Sequence, residues 1–198
     1  MKNEKTSRSR MAKISIFGPR DKLPQKETIE YIVRTISKEI GIFEIATGGI
    51  VGFPTEVLKS LKNNYSIQKN KAYTPCSDES EWNYYQEKGL VPDRSLFNEV
   101  IWTPMEIGEL KEKALYRISY LVSGSKANLA FLDGPGNTNL EIMSSLSLGI
   151  PTLCLVNNLG EAERWEGIYE KLSREGNNLK FYSDSQELMY QFVRRLKC

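Results

Sequence analysis

Three short glycine turns hold the residues best placed to do chemistry: Gly18-Pro19-Arg20, Gly48-Gly49 with Gly52 close behind, and Gly134 with Gly136. Each follows an apolar run and precedes a segment of helical spacing. Glycine lets the backbone approach a ligand closely and adopt positive φ. A helix starting just beyond adds free N–H groups and the positive end of its dipole, an arrangement suited to phosphate. One such turn serves equally well as a plain strand-to-helix connection. Three of them in a chain of 198 residues point to a phosphate-bearing ligand. Arg20 is a candidate contact for it. No turn is a Walker loop, because no Gly-Lys-Ser/Thr follows. None is a full GxGxxG fingerprint, because Asn139 stands where the third glycine would be. A conventional ATP or NAD site is therefore not expected.

The chain contains no histidine. That removes Ser-His-Asp, Cys-His and His-metal mechanisms together. Cys76, Cys154 and Cys198 lie far apart without a CxxC pair, so neither a zinc knuckle nor a disulfide framework is expected. Any catalysis rests on carboxylates, Arg, Lys, Tyr, hydroxyls or backbone amides. No metal site is expected.

The elements that must position these turns follow from hydrophobic spacing. Residues 12–18 read as a strand stopped by Gly18-Pro19. Ile29, Ile32, Val33, Ile36 and Ile40 have helical spacing over residues 25–40, with Gly41 as the stop. Residues 42–46 form a second strand, and Pro54, Val57, Leu58 and Leu61 mark a helix with proline in its first turn. Residues 72–75 end a third strand. Residues 76–95 are polar and aromatic and read as a long surface excursion. Its Trp82, Tyr84 and Tyr85 are candidates for a lid that stacks a base, or for packing. Residues 100–102 form a weak strand, 105–123 a helix and 129–132 the plainest strand. A helix carrying Ile142, Met143 and Leu146 follows the third glycine turn. Thr138 is placed to cap it, with Glu141 three residues on in a capping box. A strand at 151–156, helices at 160–174 and 184–197 and a strand at 179–182 complete the chain. Cys154 reads as a small core residue. Strands alternating with helices, and apolar on both faces, predict an α/β fold: a Rossmann-like, doubly wound parallel sheet with helices on both faces.

Composition agrees with a globular domain: 40% hydrophobic and 26% charged residues. No apolar run is long enough for a membrane span. The first ten residues are polar and basic, unlike a secretory signal. Lys2, Lys5, Arg8 and Arg10 against Glu4 give them a charge of +3, and with a total of +2 the remainder carries −1. Residues 1–11 are expected to be a disordered basic leader, followed by a single domain over 12–198. A body without net positive charge makes nucleic acid an unexpected partner. No membrane association is expected, and the cysteine usage suits a reducing cytoplasm.

The string from Leu132 through Asp133-Gly134-Pro135-Gly136-Asn137-Thr138-Asn139-Leu140 to Glu141 resembles the PGGxGTxxE motif of the LOG ("lonely guy") proteins. These were long described as lysine decarboxylases, and the related molybdenum-cofactor carrier proteins share the motif. Residues 14–20 are similar to the family's opening strand and turn. Residues 47–52 are similar to its GGGxxGLM segment, and Arg117 lies near the position of its arginine. The resemblance covers residues 12–158. Asp133 replaces the motif proline, Pro135 the second glycine and Asn137 the glycine before Thr138; Phe53-Pro54 replaces Leu-Met.

The resemblance implies that Gly134, Gly136, Asn137 and Thr138 hold a phosphate, with Gly18, Arg20, Gly48 and Gly49 bordering the same nucleotide site. It also implies catalytic roles for Glu141 and Arg117 in a nucleoside 5′-monophosphate phosphoribohydrolase, which cleaves an N-glycosidic bond without a required cofactor. The altered motif favours the other branch: a carrier or sensor that binds a nucleotide or nucleotide-derived cofactor without turnover. By analogy with the family, a homodimer is expected.

Overall fold

The structure, a computed structural model, describes residues 12–40, 43–65, 69–105, 107, 110–134, 136–170 and 178–197. The expected leader over 1–11 and the stop at Gly41 lie outside them. Seven strands form one sheet: β1 (Ala12–Phe17), β2 (Phe43–Thr47), β3 (Lys69–Tyr73), β4 (Glu99–Ile101), β5 (Ser125–Leu132), β6 (Thr152–Val156) and β7 (Leu179–Tyr182). Their spatial order is β4-β3-β2-β1-β5-β6-β7, and every neighbouring pair is parallel. The helices are α1 (Lys26–Thr35, continued by a π-helical turn over Ile36–Ile40), α2 (Phe53–Asn64), α3 (Glu79–Glu87), α4 (Leu110–Val122), α5 (Asn137–Ser147), α6 (Leu159–Glu170) and α7 (Ser185–Lys197).

Alternation along the strands builds two core layers. Ile14 and Ile16 of β1 and Leu129 and Phe131 of β5 face one side, where α1, α2, α3 and α7 pack. Phe17, Ala130 and Leu132 face the other, where α4, α5 and α6 pack. This is the doubly wound α/β architecture that the apolar strands predict. Among the described residues, no helix is long and apolar enough to cross a membrane.

Two strands start earlier than their apolar runs suggest, because most polar groups in them find partners inside the protein, although Asn128 Oδ1 has none among the described residues. In β5, Ser125 meets Ser15 across the sheet at 2.6 Å, and Asn128 donates to Ser145 at 2.8 Å. In β3, the Asn70 and Asn98 side chains each accept the other's backbone N–H, at 2.6 and 2.8 Å. A buried polar group costs little once bonded.

The surface excursion expected over 76–95 is instead an ordered part of the fold. It contains α3 and a 3-10 turn at Arg94–Leu96. Trp82 is fully buried and meets Phe97 and Trp102 edge-on. The overlooked signal is Asp78-x-x-Glu81. Asp78 accepts the Glu81 N–H at 2.8 Å, and the Glu81 side chain reaches back to the Ser77 N–H at 2.6 Å.

Candidate functional site

Strand order reverses its progression between β1 and β5, and ligands of doubly wound sheets bind beyond the carboxyl ends of strands at that point. A cleft of about 480 Å³ lies there. It is walled by the turns after β1, β2 and β5, which are the three glycine turns picked out in the sequence. Gly18, Arg20, Gly48, Gly134, Gly136, Asn137, Thr138 and Glu141 all line it. A larger cavity of about 700 Å³ lies between α1 and α7, with Tyr31, Arg34 and Arg194 among its lining residues, and contains none of the predicted site residues.

Gly52 lets the first two turns lie against each other. Its φ is +125°, and a Cβ there would sit 2.4 Å from the Pro19 carbonyl oxygen and 2.7 Å from the Arg20 Cα. The Phe53 N–H also donates to the Pro19 carbonyl, at 3.3 Å. The third turn leads into α5. Gly136 is the N-cap of that helix, and no side chain caps it. Gly136, Asn137 and Thr138 line the cleft, and among the described residues no side-chain cap occupies this helix start. Asn139 donates to the Gly134 carbonyl at 3.3 Å and accepts a bond from Tyr169 of α6, which fixes the turn.

This geometry overturns the capping box expected of Thr138 and Glu141. The helix begins at Asn137, so Thr138 already lies inside its first turn. The extended Gly136 starts the helix before Thr138 can act as its cap. Glu141 is consequently one turn deeper, on the cleft wall.

Beneath the floor, α4 brings in Arg117. Its guanidinium lies 3.5 Å from the Glu141 carboxylate, and the two residues are 3% and 4% exposed. Gly48 makes room for it: a Cβ at that position would sit 2.1 Å from Arg117 Nη1. Among the described residues, Arg117 Nε and Nη1 have no hydrogen-bond partner. Burial raises the Glu141 pKa from 4.5 to about 7, against the pull of Arg117, and burial lowers that of Arg117. A carboxyl group titrating near neutrality on a cleft wall can accept or deliver a proton.

At the mouth, Lys22 spans from the β1 turn to Asp133 at 2.8 Å, and Asn157 after β6 donates to the other Asp133 oxygen at 2.9 Å. Lys22 and Asn157 were not foreseen as site residues. The substitution of Asp133 for the motif proline was the available signal, since a carboxylate at a strand end calls for partners. Arg20 lies on the wall with its guanidinium paired to Asp21 at 2.8 and 3.1 Å.

Two expectations place residues differently. Gly49 does not line the cleft; it turns away at φ +62° and packs on Ala72, Thr74 and Trp82. Trp82 is thus a support under the β2 turn rather than a lid. Tyr84 and Tyr85 pair with each other at 5.2 Å, and Lys88 sits 4.1 Å over the Tyr84 ring. Neither tyrosine lines the cleft.

The fold defines a Rossmann-like α/β protein with a cleft at its switch point. No protein-family model matches the chain, and no curated protein does. Among solved structures, the chain is similar to the molybdenum cofactor binding protein of Rippkaea orientalis, with a TM-score of 0.67 and 17% identity over 96% of this chain and 99% of that one. It is also similar to the molybdenum cofactor carrier protein of Chlamydomonas reinhardtii, with a TM-score of 0.63 and 14% identity over 96% and 100%. DNA processing protein A of Streptococcus pneumoniae follows, with a TM-score of 0.59 and 12% identity over 91% and 62%. These likenesses establish a shared fold.

Proposed function

We propose that the protein holds a phosphate-bearing nucleotide or nucleotide-derived cofactor in the β1–β5 cleft, as a carrier or sensor. One observation carries this reading: α5 opens on the cleft without a side-chain cap, flanked by Gly134 and Gly136. N–H groups at a helix start bind phosphate oxygens through hydrogen bonds and the helix dipole. The likeness to cofactor-binding and carrier proteins supports the same reading, and a molybdenum cofactor is one candidate cargo. Gly134, Gly136, Asn137 and Thr138 would hold its anionic group; as cargo, the cofactor's own chemistry would act elsewhere.

A second reading, hydrolysis of a nucleoside 5′-monophosphate, is favoured by the position of Glu141 on the cleft wall with a pKa near neutrality. Glu141 would orient a water or stabilise an oxocarbenium-like centre, with Arg117 holding it in place.

The protein is also proposed to form a homodimer. Leu115 and Tyr120 of α4 and Leu140 and Met143 of α5 leave apolar area exposed on two packed helices beside the cleft.

Thermal shift and product release, measured on the same samples across nucleoside monophosphates and cofactor nucleotides, test these readings. A carrier is stabilised by one ligand and releases no base; at a hundred times Kd the gain is about 2.7 kcal/mol. Release of free base and ribose 5-phosphate, lost in Glu141→Ala, makes it the hydrolase. No stabilisation by any phosphorylated ligand removes both readings.

A further inference from the structure

The charged side chains that line the cleft, together with Arg117 just beneath its floor, are matched in pairs. Arg20 faces Asp21, Lys22 faces Asp133, and Arg117 faces Glu141. With all six ionised, this set carries no net charge. A wall of this kind differs from the cation-rich pockets that bind polyphosphates, where several positive charges answer several negative ones.

Asp133 lies four residues ahead of the start of α5, on the strand side of the turn. It directly follows β5 and precedes Gly134. Two partners from opposite sides hold it: Lys22 on one oxygen at 2.8 Å and Asn157 on the other at 2.9 Å. Its side chain is 18% exposed. A carboxylate fixed this way cannot swing aside, so it acts on whatever anion enters. It also divides the attraction of Lys22 between itself and that anion.

We propose, resting on the cleft reading above, that Asp133 is a specificity-determining residue. It limits how much negative charge the ligand brings, through its own repulsion and its hold on Lys22. The cleft accepts a ligand with one terminal phosphate group and resists the same nucleoside carrying two or three. Neither Asp133 nor Lys22 takes part in bond making; both act by electrostatics on the bound anion.

The test is equilibrium binding of AMP, ADP, ATP, GMP, GDP and GTP to the full chain, to Asp133→Asn, to Asp133→Glu and to Lys22→Met. The parent is expected to bind the monophosphate about tenfold tighter than the triphosphate, the scale of one or two solvated charge contacts. Asp133→Asn keeps the size and the Asn157 contact but removes the charge, and it should narrow that ratio to about twofold. Asp133→Glu should restore it. Lys22→Met should weaken the monophosphate and widen the ratio, a reading that stands even if Asp133→Asn does not fold. The ratio should shrink in high salt, where exposed charges are screened. A parent that binds triphosphate as tightly as monophosphate overturns the proposal, as does an unchanged ratio in both Asp133→Asn and Lys22→Met. A parent that binds none of the six overturns this proposal, whereas the cleft reading itself falls only if the wider panel of phosphorylated ligands and cofactor nucleotides also fails to stabilise the protein.

Discussion

Arg117 and Glu141 meet under the floor of the cleft at 3% and 4% exposure, whereas Lys22 and Asp133 meet at its mouth, with side chains 57% and 18% exposed. Both are a cation facing a carboxylate at the switch point. The inner pair has left water, so each charge depends on the other, and Glu141 titrates near neutrality. The outer pair keeps its solvent, so it adds little stability. Its effect falls on the ligand instead. One cleft thus uses the same chemistry twice, once to hold its floor and once to filter what enters.

The contrast is tested hardest by removing one inner partner at a time. Arginine stays charged under all ordinary conditions, while a glutamate can take up a proton. Glu141→Gln therefore strands a buried cation and should cost about 3–5 kcal/mol in urea unfolding. Arg117→Met leaves an acid that can neutralise itself and should cost less, roughly 1–3 kcal/mol. The reverse order would contradict the inner-pair account. Gly48→Ala comes next: the new Cβ drives into Arg117 Nη1, and overpacking of this kind costs about 1–3 kcal/mol.

A pH series separates the pairs further. The Glu141 pKa is raised from 4.5 to about 7, so the folded state keeps a proton that the unfolded chain releases across that window. Its stabilising contribution is full below the lower value and is lost as pH rises through the upper one. Lowering the pH from about 8 to about 5.5 should therefore stabilise the parent relative to Glu141→Gln. Parallel pH profiles would argue against the buried carboxyl. The smallest effect belongs to the outer pair. Lys22→Met should change unfolding free energy by only about 0–1 kcal/mol while altering ligand choice.

Much of the architecture was legible from spacing alone. β7 falls where its apolar run predicts, and α2 begins with proline in its first turn. The three glycine turns converge as expected because a parallel sheet brings the ends of its strands to one edge. The missing parts share a physical cause. Ser125, Asn128 and Asn70 are polar residues made buriable by partners distant in the chain, which a local pattern does not contain. Trp82 looked like a surface aromatic among charges until Phe97 and Trp102 enclosed it. At the site, Arg117 and Glu141 came from the resemblance, and the fold brings them together. The bond from Lys22 to Asp133 joins residues 111 positions apart, so only the closed cleft reveals it.

A crystal structure with the best-stabilising phosphorylated ligand tests the central claim most directly. The account predicts the phosphate at the start of α5, bonded by backbone N–H groups of the Gly136–Thr138 segment, with Lys22 and Asp133 still facing each other beside it. A phosphate bound in the α1–α7 cavity, with the β1–β5 cleft holding only water, would contradict it.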